Sequence, residues 1–180
     1  MKRPAVFLDR DGTLIEEVNF LSRVEDLQLF PFTAEAVKLL KDTGYLVIVV
    51  TNQSGIGRGI YTEDEMHSIH AQIQNELDNA IDAFYFCPHL PDEGCKCRKP
   101  GLGMIESALA DFDIDLELSW MVGDKKIDVE TGLSGQLSTA LVLTGYGKEH
   151  QVLLDITPTL ISTDLHDAVK SIVNTSNRFN

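Results

Sequence analysis

Hydrophobic residues in this chain fall into short uninterrupted runs, and between the runs they recur at helical spacing. The runs are residues 5–8, 45–50, 83–86, 120–122 and 139–143. Strand-length stretches with almost no polar position fit parallel strands covered on both faces. Between them, Ala36, Val37, Leu39 and Leu40 predict a helix from an N-cap at Thr33 to about residue 43, with Gly44 as its stop. Thr62-Glu63-Asp64-Glu65 is a capping box that opens a longer helix to about Asn79. Segments 104–110, 128–133 and 164–173 complete the predicted helices, and 174–180 reads as a disordered tail. Repeated strand-then-helix order implies parallel βαβ units with right-handed crossovers. The expected fold is α/β: a single doubly wound, Rossmann-like parallel sheet over residues 1–173, without internal repeats or linkers.

Polar clusters punctuate this pattern at the ends of the strands: Asp9 and Asp11, then Thr51-Asn52-Gln53, then Cys87 and His89, then Asp124. In a parallel sheet those ends lie along one edge, so residues distant in sequence converge there. Two carboxylates separated by one residue repel unless a cation offsets them. A hard divalent ion, Mg²⁺ first among them, would do so. A simple Asx-type turn explains Asp9-Arg10-Asp11-Gly12-Thr13 without any chemistry. With the other strand ends added, a phosphoryl-transfer site takes shape. Asp9 is placed as nucleophile and Asp11 as general acid/base, with a pKa above that of Asp9. Asp124 completes a metal site, and Thr51 and Lys99 face the charge on transferring oxygens. Taken singly, Thr51 is a strand-end cap and Lys99 a solvated charge; their joint occurrence in this order favours the site.

The chain has 180 residues, 43% hydrophobic and 24% charged, which suits one soluble domain with a full core. Its apolar runs are too short to cross a bilayer. The start, Met1-Lys2-Arg3-Pro4, lacks the apolar region of a secretory signal, so a cytoplasmic location is expected. A net charge of −13 argues against nucleic acid or an anionic membrane as partner. An anionic substrate would need a local cationic patch. The three cysteines, Cys87, Cys95 and Cys97, cluster with His89. They read either as reduced thiols in a surface loop or as a Cys₃His set for structural Zn²⁺. Zinc would fix a loop rich in proline and glycine and would place Arg98 and Lys99, which follow directly.

The segments Asp9-Arg10-Asp11-Gly12-Thr13, Thr51-Asn52-Gln53, Arg98-Lys99-Pro100 and Gly123-Asp124-Lys125-Lys126-Ile127-Asp128 resemble, in order, the four motifs of the haloacid dehalogenase-like phosphatases. The resemblance spans roughly residues 4–146 and implies hydrolysis of a small phosphorylated metabolite through an aspartyl-phosphate on Asp9. It implies Mg²⁺ held by the Asp9 and Asp124 side chains and the Asp11 backbone carbonyl, and Asp11 as acid/base. Thr51 and Lys99 would hold phosphoryl oxygens and Arg98 would recognise substrate. Glu17, Val18, Asn19, Phe20, Asn52, Gln53, Ser54 and Lys125, with Thr51, Arg98 and Lys99, fall at substrate-contacting positions of the family. The family's zinc ligands match Cys87, His89, Cys95 and Cys97. Two branches share these features, phosphatases of heptose bisphosphate and of histidinol phosphate. The Ser54-Gly55-Ile56-Gly57-Arg58-Gly59 run favours the first, while the short loop 87–95 fits the second as well.

Only about twenty residues separate Thr13 from the first helix, too few for an independent cap domain. A capless site ringed by loops 16–27, 54–61 and 88–97 is expected. Gly55, Gly57 and Gly59 would let the second loop turn with backbone amides free as donors. His67 and His70 read as surface or boundary residues, Trp120 as core, and Asp128 as a helix cap or a support for Lys125. No symmetric apolar surface suggests itself, so a monomer is expected.

Overall fold

The computed structural model describes residues 2–176. Six strands form one parallel sheet: β1 (Ala5–Leu8), β2 (Leu46–Asn52), β3 (Ala83–Cys87), β4 (Trp120–Gly123), β5 (Ser138–Val142) and β6 (Leu160–Ser162), in the order β3-β2-β1-β4-β5-β6. The chain winds outward from β1 to β3, then returns to the other side of β1. The winding therefore reverses between β1 and β4. Ligands bind at such a point in open α/β sheets.

Side chains alternate across the sheet, as strand geometry requires. Val6 and Leu8 of β1 and Val47 and Val49 of β2 join one core, with α1 (Thr33–Asp42), α3 (Glu63–Glu76) and α7 (Leu165–Ser176). Ala5, Phe7, Ile48 and Val50 join a second core on the opposite face, closed by α4 (Gly103–Asp111). Phe7 pairs in register with Ile48 and Met121 and is fully buried. Each such side chain contributes about 1.5–3 kcal/mol of hydrophobic stabilisation. The sheet is thus anchored around the strand that carries Asp9.

Four details differ from the sequence expectation. Thr33 does not cap α1; its buried hydroxyl donates to the Leu14 carbonyl at 2.7 Å, tying the helix start to the chain after β1. The capping box at Thr62 forms, but α3 ends at Glu76, because Asp78 and Asn79 take left-handed φ of 52° and 58°. Helices α2 (Ser54–Gly57), α5 (Lys126–Ser134) and α6 (Gly147–Val152) fill out the chain, α2 and α6 unanticipated, as is the three-residue β6. Finally, α7 runs to Ser176, past the expected end at Val173; residues 177–180 of the expected tail lie outside those described. No helix among the described residues is long and apolar enough to cross a membrane. Between Thr13 and α1 the only helical piece is a single 3-10 turn, Val24–Asp26, so the site has no cap domain in that segment.

Candidate active site

β1 and β4 are hydrogen-bonded neighbours, and each delivers an aspartate just past its last residues. Asp9 N donates to the Val122 carbonyl at 2.9 Å, and Asp124 follows Gly123. Carboxylate oxygens of Asp9, Asp124 and Asp128 lie within 4.8 Å of one another, all three buried. Burial, with the negative charge of Asp9 beside it, pushes the Asp124 carboxyl up to about 8. Its Oδ1 is buried without a hydrogen-bond donor, with only the Lys125 ammonium 3.5 Å away. Its Oδ2 accepts from the Tyr146 backbone N–H at 2.8 Å. Gly12 (φ 78°) and Gly145 (φ 51°) cradle this carboxylate; a Cβ on either would come within 2.2 and 2.3 Å of Oδ2. Crowded, buried carboxylates with an orphaned oxygen are a donor set that suits a hard divalent cation. These residues fit Mg²⁺.

Lys99 is 2% exposed and bridges the cluster, 3.0 Å from Asp9 Oδ1 and 2.6 Å from Asp128 Oδ1. Burial alone would push the lysine down, but Asp128 and Asp9 outweigh it and hold the ammonium charged. Asn52 fixes the Lys99 backbone from both sides: its Oδ1 accepts from Lys99 N at 3.0 Å, and its Nδ2 donates to the Lys99 carbonyl at 3.3 Å. Asp128 goes beyond the helix-cap role expected of it. Its Oδ2 accepts from Lys125 N at 3.0 Å, capping α5, while Oδ1 anchors Lys99.

Asp11 turns away from the acidic cluster. Arg10, almost fully buried, grips it with two parallel bonds, Nε to Oδ2 and Nη2 to Oδ1, both 3.0 Å. Gln53 Nε2 donates to Asp11 Oδ2 at 2.9 Å and to Thr51 Oγ1 at 2.8 Å. Gln53 Oε1 accepts from Arg10 Nη2 at 3.0 Å and from the Tyr61 hydroxyl at 2.5 Å. Burial pushes the Asp11 carboxyl up, but the Arg10 charge and these hydrogen bonds prevail and hold it below the usual carboxylate value. Bidentate guanidinium binding thus favours the charged carboxylate over the neutral acid at Asp11. His70, expected at the surface or boundary, is buried at 6% exposed, and its Nε2 lies 3.3 Å from Arg10 Nη1. Burial and the adjacent Arg10 push His70 down to about 3, so the ring is neutral and accepts from the guanidinium.

An open-mouthed cavity of about 260 Å³ lies over this edge, lined by Asp9, Asp11, Glu17, Asn19, Phe20, Asn52, Gln53, Ser54, Arg98, Lys99, Lys125 and Tyr146, among others. Thr51 and Asp124 stand behind the wall, buried; Val18 is 40% exposed and does not line it. Lys125 reaches Glu17 Oε2 at 3.3 Å, and Arg98 Nη1 donates to the His89 carbonyl at 3.3 Å. Gly55 and Gly57 of loop 54–61 serve close packing more than donation. A Cβ at Gly55 would strike the Tyr61 ring at 2.1 Å, and one at Gly57 the Pro88 carbonyl at 2.7 Å. Amides of Ile56, Gly57, Arg58 and Gly59 are already bonded to Gln53, Pro88, Ser54 and Ile56 carbonyls. Arg10, Tyr61, His70 and Tyr146 are site residues that the sequence reading gave no such role.

Cys87, Cys95 and Cys97 are free, and their sulfurs gather with His89 Nδ1, five of the six separations lying at 3.1–3.5 Å and all within 4.8 Å. Three thiols and an imidazole at the corners of so small a cage match the donor set of a closed tetrahedral zinc site. The cage closes two residues before Lys99.

Comparison with known proteins agrees with this geometry. Residues 96–168 match the HAD-hydrolase-like family model. The chain is 43% identical over 161 residues to D-glycero-D-manno-heptose-1,7-bisphosphate 7-phosphatase of Thermosynechococcus vestitus, covering 82% of each. It is 39% identical over 156 residues to the corresponding β-heptose enzyme of Haemophilus ducreyi, covering 81% of this chain and 86% of that one. The crystal structure of D,D-heptose 1,7-bisphosphate phosphatase from B. bronchiseptica, complexed with magnesium and phosphate, superposes with a TM-score of 0.89 at 28% identity, over 96% of this chain and 99% of that one. The chain belongs to the haloacid dehalogenase-like phosphatases, in the family of these heptose bisphosphate enzymes.

Proposed function

We propose that this chain removes the 7-phosphate of D-glycero-D-manno-heptose 1,7-bisphosphate. The observation that carries the reading is the placement of Asp9 against Lys99 and Asp124, at the floor of a cavity whose walls add Arg98 and Lys125. One phosphate can sit over Asp9 while the walls meet a second anionic group. Asp9 attacks phosphorus, the ester P–O bond breaks, and Asp11 gives its proton to the departing sugar oxygen. Water then attacks the aspartyl-phosphate, Asp11 takes its proton, and inorganic phosphate leaves with Asp9 restored. The Arg10 grip keeps Asp11 ionised in the open site; the like charge of an arriving phosphate dianion raises the carboxyl's proton affinity, and Asp11 takes up a proton from solvent before it acts as the acid. Lys99 offers a positive group to the transferring oxygens, and Thr51, whose Oγ1 accepts from Gln53, backs that wall and would present its hydroxyl to them once phosphate is seated. Asp9, Asp124 and the Asp11 backbone would hold Mg²⁺, which offsets the repulsion between nucleophile and phosphate when bound. Zn²⁺ in the cage of Cys87, His89, Cys95 and Cys97 would fix the loop that ends in Arg98 and Lys99.

Histidinol phosphate is the second reading, which the short cysteine loop fits as well. Phosphate release with Mg²⁺, measured on heptose 1,7-bisphosphate, histidinol phosphate and common sugar phosphates, separates them by kcat/KM. A strong preference for the heptose is expected, and preference for histidinol phosphate would replace the substrate while keeping the chemistry. Asp9→Asn should abolish turnover with the fold intact; near-normal activity in that variant would remove the nucleophile assignment.

A further inference from the structure

We infer that Tyr146 is a positioning residue that holds the Asn19 side chain at the cavity wall where the substrate meets it, an inference resting on the sugar bisphosphate reading above. Tyr146 joins the metal carboxylate to the substrate loop. Its backbone N–H donates to Asp124 Oδ2 at 2.8 Å, which fixes its position relative to the acidic cluster. Its ring lies 5.2 Å from the Lys125 ammonium, which itself reaches Glu17 on loop 16–27 at 3.3 Å. Its hydroxyl crosses to the same loop and donates to Asn19 Oδ1 at 2.9 Å.

That last bond has a mechanical consequence. Asn19 is exposed on loop 16–27 and lines the same cavity as Tyr146. A phenol hydroxyl donates or accepts, so it holds one end of the amide and leaves the other end to a polar group of the substrate. Without the phenol the Asn19 side chain loses this hold and is free to swing away from the cavity wall. The next residue, Phe20, holds φ of 62°, a conformation that a bulky side chain keeps only when its surroundings impose it. The Tyr146–Asn19 bond is a restraint beside that position, and Arg58 stands 5.9 Å from the Phe20 ring centroid on the other side.

The test is steady-state kinetics of the Mg²⁺-loaded wild type, Tyr146→Phe, Asn19→Ala and the double variant, on heptose 1,7-bisphosphate and on p-nitrophenyl phosphate, which has no sugar. Tyr146→Phe keeps the ring over Lys125 and removes only the hydroxyl. KM for the bisphosphate should rise about 3- to 10-fold, the worth of one hydrogen bond, with kcat within about twofold. KM for the aryl phosphate should not follow it. The double variant should be no worse than Asn19→Ala, because Tyr146 acts through that residue. Equal KM changes on both substrates, an unchanged KM, or multiplying effects in the double variant would each overturn the inference. A wild type that hydrolyses the aryl phosphate but not the bisphosphate would instead overturn the substrate reading, and this inference with it.

Discussion

His70 gives the fold a measurable sensitivity to acid. It sits on α3, 6% exposed, stacked on Phe84 with ring centroids 4.5 Å apart and with Arg10 Nη1 3.3 Å from Nε2. Arg10 is a permanent cation and must donate, so His70 must accept and stay neutral. Burial, then the Arg10 charge, place its folded pKa at about 3, against about 6.5 in the unfolded chain. The folded value is depressed, so the unfolded state takes up the proton first. Stability is therefore full above about pH 6.5 and falls as pH drops from there toward 3. Integrating between about pH 7.5 and pH 5 gives a loss of about 2 kcal/mol, set almost entirely by the unfolded-state value because pH 5 lies well above the folded pKa. The single tryptophan, Trp120, is buried in β4 and reports unfolding by fluorescence. Urea unfolding of wild type and His70→Gln at both pH values isolates this contribution, since glutamine keeps an acceptor and cannot titrate. Wild type should lose about 2 kcal/mol more than the variant between the two pH values. Parallel losses in the two proteins would refute the assignment of a neutral, buried His70.

Gly145→Ala would place a Cβ 2.3 Å from Asp124 Oδ2, on backbone with φ of 51°. The carboxylate must shift, and the concentration of Mg²⁺ needed for half-maximal phosphate release should rise at least about tenfold, consistent with strain of about 1–3 kcal/mol; an unchanged midpoint would show that the cradle is not required. Reduced protein prepared without chelator should contain about one zinc per chain by elemental analysis, the stoichiometry of one Cys₃His site. Cys97→Ser should lower that content and reduce both thermal stability and turnover, because Lys99 lies two residues beyond. Zinc near zero in the reduced wild type would leave the four side chains as a thiol cluster.

Much of the site is legible in the sequence because strand ends converge. Asp9, Thr51, Asn52, Lys99 and Asp124 follow apolar runs or the cysteine loop, and a parallel sheet carries them to one edge. What supports them was harder to see. Nothing in the sequence marks Arg10, between two aspartates, as buried; its burial emerges only when α3 is laid against β1. A signal for His70 was present: Met66, Ile69, His70 and Ile73 follow the spacing of one helical face, and all four are buried. Helical periodicity, not the polarity of the imidazole, decides where this side chain lies. β6 left little trace because a three-residue edge strand, with one residue half-buried, one exposed and one buried, needs no apolar run. The glycines of loop 54–61 signalled a special backbone, but whether they faced a ligand or a neighbouring ring depended on Tyr61 and Pro88, which only the tertiary structure brings near.

The adjacency of β1 and β4 has an evolutionary consequence. Asp9 and Asp124 stand 115 positions apart in the chain, yet their separation follows from the spacing of paired strands, about 4.7–4.9 Å, and not from any loop. Insertions in segments 16–27, 54–61 or 88–97 can remodel what the cavity admits without moving the two carboxylates relative to each other. The ruler for the chemistry is the sheet, and the loops are free to drift in search of new substrates.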